Sequence, residues 1–317
     1  MSKLVSIIIP TYNSADFISE TVRSAFNQNY TSLEVIVVDN NSTDNTWEIL
    51  EELKDEFPSM ILAKETKQNA CAARNKGLTL SRGEWLQFLD SDDILLPNKI
   101  SNQMAVLEDM PADTPFLVGT YLRKDLIKNV EQQIDAIYDP WKGIIYNRLG
   151  QTTTNLFNRS ALTEVGGWND DLKSSQEYDL MFRMLRRNDN IARCSQVDTI
   201  VQAREGSINT SDVLGNQHRY LHLIARIVDY LSSSKKEIYN QIDEEFFQKM
   251  FVRIRLSAIN GFPDYAYFYD KIMPKDVVVS DNKFTPKWFS TMSRVVGYKT
   301  TENFRQFLRK VPANRGG

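Results

Sequence analysis

The sequence predicts an open, mostly parallel α/β sheet flanked by helices, followed by a mainly helical C-terminal extension. Three observations carry this. The first hundred residues hold four apolar runs rich in β-branched residues, LVSIIIP, LEVIVVD, MILAKE and WLQFLD, the pattern of strands covered on both faces. Their ends, near Pro10, Asp39, Glu65 and Asp90, fall 29, 26 and 25 residues apart, close to the ~30 residues of a strand–helix–strand unit. From about Thr210 onward such runs give way to apolar stripes at helical spacing.

Between the four strands, helices are expected over about 14–28, 43–56 and 70–81. Pro97 suits a first helical position, and Ile100, Met104 and Leu107 recur at helical spacing, so another helix is expected over 97–110. PFLVGTYL reads as a strand. Residues 125–150 are less regular and precede TTNLFNRS, and a further helix is expected over 176–187. In the tail, Leu221, Ile224, Val228 and Leu231 form one helical stripe. Ile238, Ile242, Phe247, Phe251 and Ile254 form another. The expected boundary falls between 1–210 and 211–317.

Composition narrows the function classes. The chain has 317 residues, 42% of them hydrophobic and 25% charged, ordinary for a globular protein. Lysine plus arginine is 38 and aspartate plus glutamate 41, a net charge of −3. That near-balance argues against a nucleic-acid binder. Cys71 and Cys194 are too few and too far apart for a disulfide framework or a zinc site, so a reducing compartment is the default. No signal-peptide pattern opens the sequence, and no apolar run reaches the ~18 residues of a spanning helix.

Ligands of open α/β sheets bind outside the carboxyl ends of the strands. Three polar segments fall there: Pro10-Thr11-Tyr12-Asn13, Asp39-Asn40-Asn41 and Asp90-Ser91-Asp92-Asp93. If the sheet forms, they share one rim. Residues i and i+2 of an extended chain point the same way, so Asp90 and Asp92 are spaced to share a hard divalent cation such as Mg²⁺ or Mn²⁺. A turn capping the next helix uses the same residues, and spacing alone leaves both readings open. Asp39 either accepts hydrogen bonds from a bound nucleotide or forms an Asx turn. Arg74 and Asn75 lie near a helix start, where an arginine either grips phosphate or is merely solvated.

In SSQEYDLMFRML, Glu177 sits at a helix N-terminus, where the dipole favours the ionised form. An ionised, shielded carboxylate takes protons from hydroxyl groups; first-turn capping explains it equally well. Asp179 is placed to pair with Arg183 at i, i+4.

The first strand is followed by PTYNSADF rather than G-x-G-x-x-G, which disfavours NAD or FAD, and neither a phosphate-binding P-loop nor a G-x-S-x-G elbow occurs. His218 and His222 are four apart, but HRYLH lacks the glutamate of a zinc-protease helix. It reads as a solvated or core-edge pair.

VSIIIPTYN, VIVVDNNSTDNT, ACAARNKGL, WLQFLDSDD, GGWNDDL and QEYDLMFRML occur in the order and spacing of the family 2 inverting glycosyltransferases of the GT-A fold, which the chain resembles over about residues 3–210. The resemblance implies a nucleotide-sugar half (about 1–93) joined to an acceptor half (about 94–210). It implies a nucleotide-diphospho-sugar donor, most often a UDP-sugar, and Mn²⁺ or Mg²⁺ as cofactor. Pro10, Thr11 and Tyr12 would line the base and ribose pocket, Asp39 would bond the base, and Arg74 and Ser91 would lie near the nucleotide. Asp92 would hold the metal, with Asp90 nearer the ribose. Trp168 would belong to the acceptor side. Glu177 would be the base, with Asp179 a second candidate. Arg204 and Ser207 in AREGSIN would close over the diphosphate. The acceptor would be a glycan or lipid-linked hydroxyl in surface polysaccharide synthesis.

The sequence departs from the family at two points. Gln176-Glu177 replaces the usual Glu-Asp, and Lys67-Gln68-Asn69 replaces an Asn-x-Gly. No long hydrophobic segment follows residue 210, unlike a processive membrane synthase. The expected location is cytoplasmic. Residues 283–317 hold eight basic residues and one acidic, Glu302, giving +7 against −10 for the rest. With Trp288, Phe289, Phe304 and Phe307 interleaved, this end either contacts an anionic membrane surface peripherally or packs as helices with a solvated basic face. Two other readings stay open: a non-catalytic nucleotide-sugar or glycan-binding protein, and a sugar-1-phosphate nucleotidylyltransferase, which needs a glycine- and arginine-rich loop where PTYNSADF stands.

Overall fold

The first two apolar runs form strands because both of their faces find helices. Val5, Ile7 and Ile9 of β1 (Val5–Thr11) and Val35 and Val37 of β2 (Leu33–Asp39) share a core with Ile18 and Val22 of α1 (Ile18–Phe26) and Leu50 and Leu53 of α2 (Thr46–Glu56). The alternate residue Ile8 faces the other side, under α3 (Ala70–Leu80). The computed structural model of the chain describes residues 2–137, 139–203, 212–275, 277, 280–281 and 284–310. The chain divides into two compact units, Met1–Ser211 and Asp212–Gly317.

In the first unit, β3 (Ile61–Lys64) and β4 (Trp85–Phe88) extend β1 and β2 into a wholly parallel group in the order β3-β2-β1-β4. β3 is only partly buried because it is the sheet's edge. Beyond β4 the sheet becomes mixed. β5 (Ile94–Leu95), α4 (Lys99–Glu108), β6 (Phe116–Asp125) and β7 (Val130–Ile134) are followed by α5 (Pro140–Ile145), β8 (Leu156–Asn158) and α6 (Arg159–Glu164). α7 (Gln176–Leu185) and β9 (Ala192–Ala203) complete it. β8 pairs antiparallel with β4 and β6, β5 with β9 and β7 with β6, whereas β6 and β9 run parallel. The region 125–150 thus contains a hairpin strand and a short helix whose N-terminus Asp139 caps, accepting from the Trp141 and Lys142 N–H groups.

Gly77 fixes how closely α3 lies on β1. A Cβ there would run into the Ile8 side chain. Gly77→Ala overpacks this contact and should cost ~1–3 kcal/mol. The check is a urea melt, with the midpoint lowered and the slope unchanged; an unchanged midpoint would contradict the packing.

The second unit is helical: α8 (Val213–Ser234), α9 (Lys236–Tyr239), α10 (Glu244–Ile259), α11 (Tyr265–Ile272), α12 (Lys287–Val296) and α13 (Tyr298–Lys310). Leu221, Ile224, Val228 and Leu231 are buried as one stripe of α8. The second expected stripe is not one helix. The Asp243 side chain accepts from the Phe246 N–H and starts α10 afresh, leaving Ile238 in α9 and Ile242 between the two. Glu302, the acidic residue of 283–317, is fully buried. It accepts from Arg255 Nη1 (2.6 Å) and from Arg305, and the Arg255 guanidinium lies 3.5 Å from the Phe289 ring centre. Phe289 is therefore core, whereas Trp288, Phe304 and Phe307 are exposed. Among the described residues, no helix is long and apolar enough to cross a membrane.

Candidate active site

The backbone ladder continues past the strand ends and brings the three polar segments side by side. Thr11 is in register with Asp39. The Asn40 N–H donates to Thr11 O (2.8 Å), and the Leu89 N–H to Ile8 O (2.9 Å). Side chains then lace the loops. Asn13, in the left-handed region at φ 48°, accepts at Oδ1 from the Thr43 N–H (2.8 Å). Ser14 Oγ meets Ser91 Oγ at 2.7 Å. Asn40 donates to Lys67 O (2.7 Å) and accepts from the Asn69 N–H (2.8 Å). At this rim Pro10 is buried and Tyr12 is exposed. Thr11 and Asp39 are each 2% exposed, and neither Thr11 Oγ1 nor Asp39 Oδ1 has a hydrogen-bond partner among the described residues. Buried polar atoms without partners are costly, so this pair suits a polar ligand.

The Asp90-to-Asp93 segment is held from behind. Asp93 is buried and accepts from Thr153 Oγ1 (2.7 Å) and the Gln202 N–H (2.9 Å). Gln202 Nε2 also donates to Asp92 O (2.8 Å), and Thr21 Oγ1 contacts both Ser91 O and Asp93 O at 3.0 Å. This leaves Asp90 and Asp92 partly exposed. Burial, then the charges of Asp90 and Asp92, push the Asp93 carboxyl well above the usual carboxylate range. That crowding of negative charge, on an all-oxygen donor set, fits a hard divalent cation. Asp93 had no separate role in the sequence reading; its signal was only its place as third acid of DSDD.

Arg74 connects this rim to α7. Asn69 caps α3, accepting from the Cys71 N–H (2.7 Å), and places Arg74 one turn in. Arg74 is 7% exposed; its Nη2 donates to Asp90 Oδ1 (2.8 Å) and its Nη1 to Gln176 Oε1 (3.1 Å). Its guanidinium stands 4.7 Å from the Trp168 ring centre. Trp168 is itself buried, edge-to-face with Phe88 at 5.1 Å. Gly166 and Gly167, at φ 84° and 72°, make the left-handed turn that precedes it. Asn75 clamps its backbone in both directions, at 2.9 and 2.8 Å. The ring is a floor beneath Arg74 rather than an exposed platform.

Gln176 opens α7, so Glu177 follows in its first turn, half-buried. Burial raises the Glu177 carboxyl above its ordinary pKa, and the Asp90 charge adds to the rise. Its own backbone N–H and the Arg74 charge oppose it. The sequence expectation of a dipole-stabilised, fully ionised carboxylate is thus offset by desolvation. Asp179 is 2% exposed and accepts from Arg183 Nε at 2.8 Å, the i, i+4 pair expected. The structure therefore gathers Thr11, Asp39, Arg74, Asp90, Ser91, Asp92 and Glu177 in one connected neighbourhood. Gln176 and Asn75, beside Glu177 and Arg74 in their motifs, support it, as do Thr153 and Gln202 from stretches with no local motif. Arg204 and Ser207 lie outside the described residues.

The family model for glycosyl transferase family 2 matches residues 6–169, just over half of the chain. The chain belongs to this family. Among curated members, the UDP-Glc:α-D-GlcNAc-diphosphoundecaprenol β-1,3-glucosyltransferase WfaP of Escherichia coli is 30% identical over 211 residues, covering 66% of this chain and 81% of that protein. Several further curated relatives match over less than half of their own length. Among solved structures, Staphylococcus aureus TarS residues 1–349, in complex with UDP-GlcNAc, aligns over 96% of this chain and 92% of that one. Its TM-score is 0.67 at 19% identity. The mannosyltransferase PcManGT of Pyrobaculum calidifontis, in complex with GDP-Man and Mn²⁺, aligns over 98% and 89% with a TM-score of 0.51 at 17% identity. The family 2 chain thus has the GT-A fold, and it is a glycosyltransferase.

Proposed function

We propose that this glycosyltransferase moves a sugar from a nucleotide-diphospho-sugar, a UDP-sugar, to a hydroxyl of a glycan or lipid-linked acceptor in surface polysaccharide synthesis, with inversion at the anomeric carbon. The observation that carries the reading is the double engagement of Arg74. One guanidinium holds Asp90, at the nucleotide rim, and Gln176, next to Glu177, so donor and base positions share one anchor. The relatives named for UDP-Glc, UDP-GlcNAc and GDP-Man support the donor class.

In this reading residues 1–93 bind the donor and 94–210 the acceptor. Asp39 and Thr11 take the base and ribose with their unpartnered oxygens, and Pro10 and Tyr12 border that pocket. Ser91 and Arg74 lie beside the nucleotide. Asp92, with Asp90 beside it, would hold Mn²⁺ or Mg²⁺, which neutralises charge on a departing diphosphate. Glu177 takes the proton of the acceptor hydroxyl. The freed oxygen bonds to the anomeric carbon from the face opposite the diphosphate, whose bond to that carbon breaks. Asp179 pairs with Arg183 within α7, and that guanidinium also donates to Val165 O. Trp168 supports Arg74 and, through it, the acceptor side. The test is a screen of nucleotide sugars with Mn²⁺, read as nucleoside diphosphate release: turnover with one donor is expected, and binding without turnover of any would favour a non-catalytic binder.

The second unit contributes peripheral membrane contact at the cytoplasmic face. Trp288, Phe304 and Phe307 are exposed, as are Lys287 and Arg294, a combination of apolar and basic groups that can enter a headgroup layer. Co-sedimentation with vesicles rich in anionic phosphatidylglycerol should be strong at low salt and weaken at moderate salt. No binding at low salt would refute it.

A further inference from the structure

We propose that His218, His222 and Asp264 form a second cation site, of the zinc type, that ties α8 to the start of α11. The sequence offered only the two histidines; the third group lies 42 residues beyond His222 and becomes visible only in the fold. Nε2 of His218 is 3.2 Å from Asp264 Oδ2, and Nε2 of His222 is 3.3 Å from the same oxygen. All three ligand atoms lie within 4.8 Å of one another. Zinc bonds of about 2.0–2.1 Å in a tetrahedron set neighbouring ligand atoms ~3.3 Å apart, which matches both histidine-to-Asp264 separations.

Three further features suit a metal. Asp264 occupies the cap position of α11 but makes no side-chain cap bond; its carboxylate is turned to the histidines instead. His218 Nδ1 lies 3.3 Å from Ser257 Oγ of α10. When that contact is Nδ1–H donating to the hydroxyl, the Nε2 lone pair is free for a cation, as ligating histidines are usually held. The rings are fixed by packing: His218 stacks on Phe262 at 4.2 Å, and Phe268 sits edge-on to His222 at 4.7 Å. His222 and Asp264 are solvent-accessible, their side chains 47% and 41% exposed, so water can complete the tetrahedron. Two imidazoles and one carboxylate select a borderline ion such as Zn²⁺ over Mg²⁺ or Ca²⁺. The donor set thereby differs from the all-oxygen rim at Asp92, and the proposal does not depend on the function assigned to that rim.

Cobalt tests this directly. The full chain, stripped of metal, is titrated with Co²⁺ and then Zn²⁺. Tetrahedral nitrogen-ligated cobalt gives strong visible bands, whereas an octahedral oxygen site gives weak ones. Expected are strong bands that saturate at one equivalent, vanish when Zn²⁺ is added, and are absent in His222→Ala and Asp264→Asn. They should persist in Asp92→Ala. Circular dichroism confirms that each variant is folded. Bands that survive His222→Ala and Asp264→Asn, or no saturable strong band up to millimolar Co²⁺, would overturn the site and leave a hydrogen-bonded His–Asp–His cluster.

Discussion

Glu177→Gln should lower kcat by ~10²–10⁴, the range over which a positioned general base contributes, while nucleotide binding is retained. The amide keeps the size and the start of α7 but cannot take a proton. The pH profile separates this from a structural effect. Burial raises the Glu177 carboxyl above its ordinary value, and the Asp90 charge adds to this against its own backbone N–H and Arg74. Its deprotonated form is the active one, so kcat/KM should fall as pH drops through that raised value, and this acid limb should vanish in Glu177→Gln. Stability runs the other way. A carboxyl whose folded pKa is raised binds its proton more tightly in the native state, so its contribution is present below the unfolded pKa and is lost as pH rises through the folded one. The wild type should therefore pay a small stability cost at neutral pH that Glu177→Gln relieves. An unchanged acid limb in the variant would assign the base elsewhere, with Asp179 the next residue to replace.

Asp92→Ala should reduce turnover by ~10³-fold or more, because a metal at a departing diphosphate contributes several kcal/mol to the barrier at about 1.4 kcal/mol per tenfold. The fold should survive, since Gln202 holds the backbone carbonyl of Asp92 and the buried carboxylate is that of Asp93. The variant should also lose the gain in nucleotide affinity that Mn²⁺ gives the wild type, measured by calorimetry with UDP. Equal rates in variant and wild type would remove Asp92 from the metal site.

The fold was legible where burial was two-sided. β1, β2 and β4 announce themselves as apolar runs because helices or neighbouring strands cover them completely. β7 was invisible for the opposite reason: VEQQI is mostly exposed and held by its ladder to β6, so its side chains carry no period. The stripe through Ile238 and Phe247 looked continuous because spacing does not register a cap such as Asp243. Much of the candidate site could be read from one rule, that ligands meet the carboxyl ends of parallel strands, which singled out Asp39 and Asp90 to Asp92. What the rule misses is cross-chain support. Nothing local marks Thr153 as the partner of Asp93, Asn75 as the clamp of Trp168, or Asp264 as the partner of two histidines. Those pairings exist only after the chain has folded.

The most direct measurement is anomalous diffraction from crystals grown with Mn²⁺ and UDP. A manganese peak is expected against the Asp92 carboxylate, with the uracil hydrogen-bonded to Asp39 and the Glu177 carboxyl facing the open side of the diphosphate. A nucleotide bound away from Asp39, or manganese with no contact to Asp92, would contradict it.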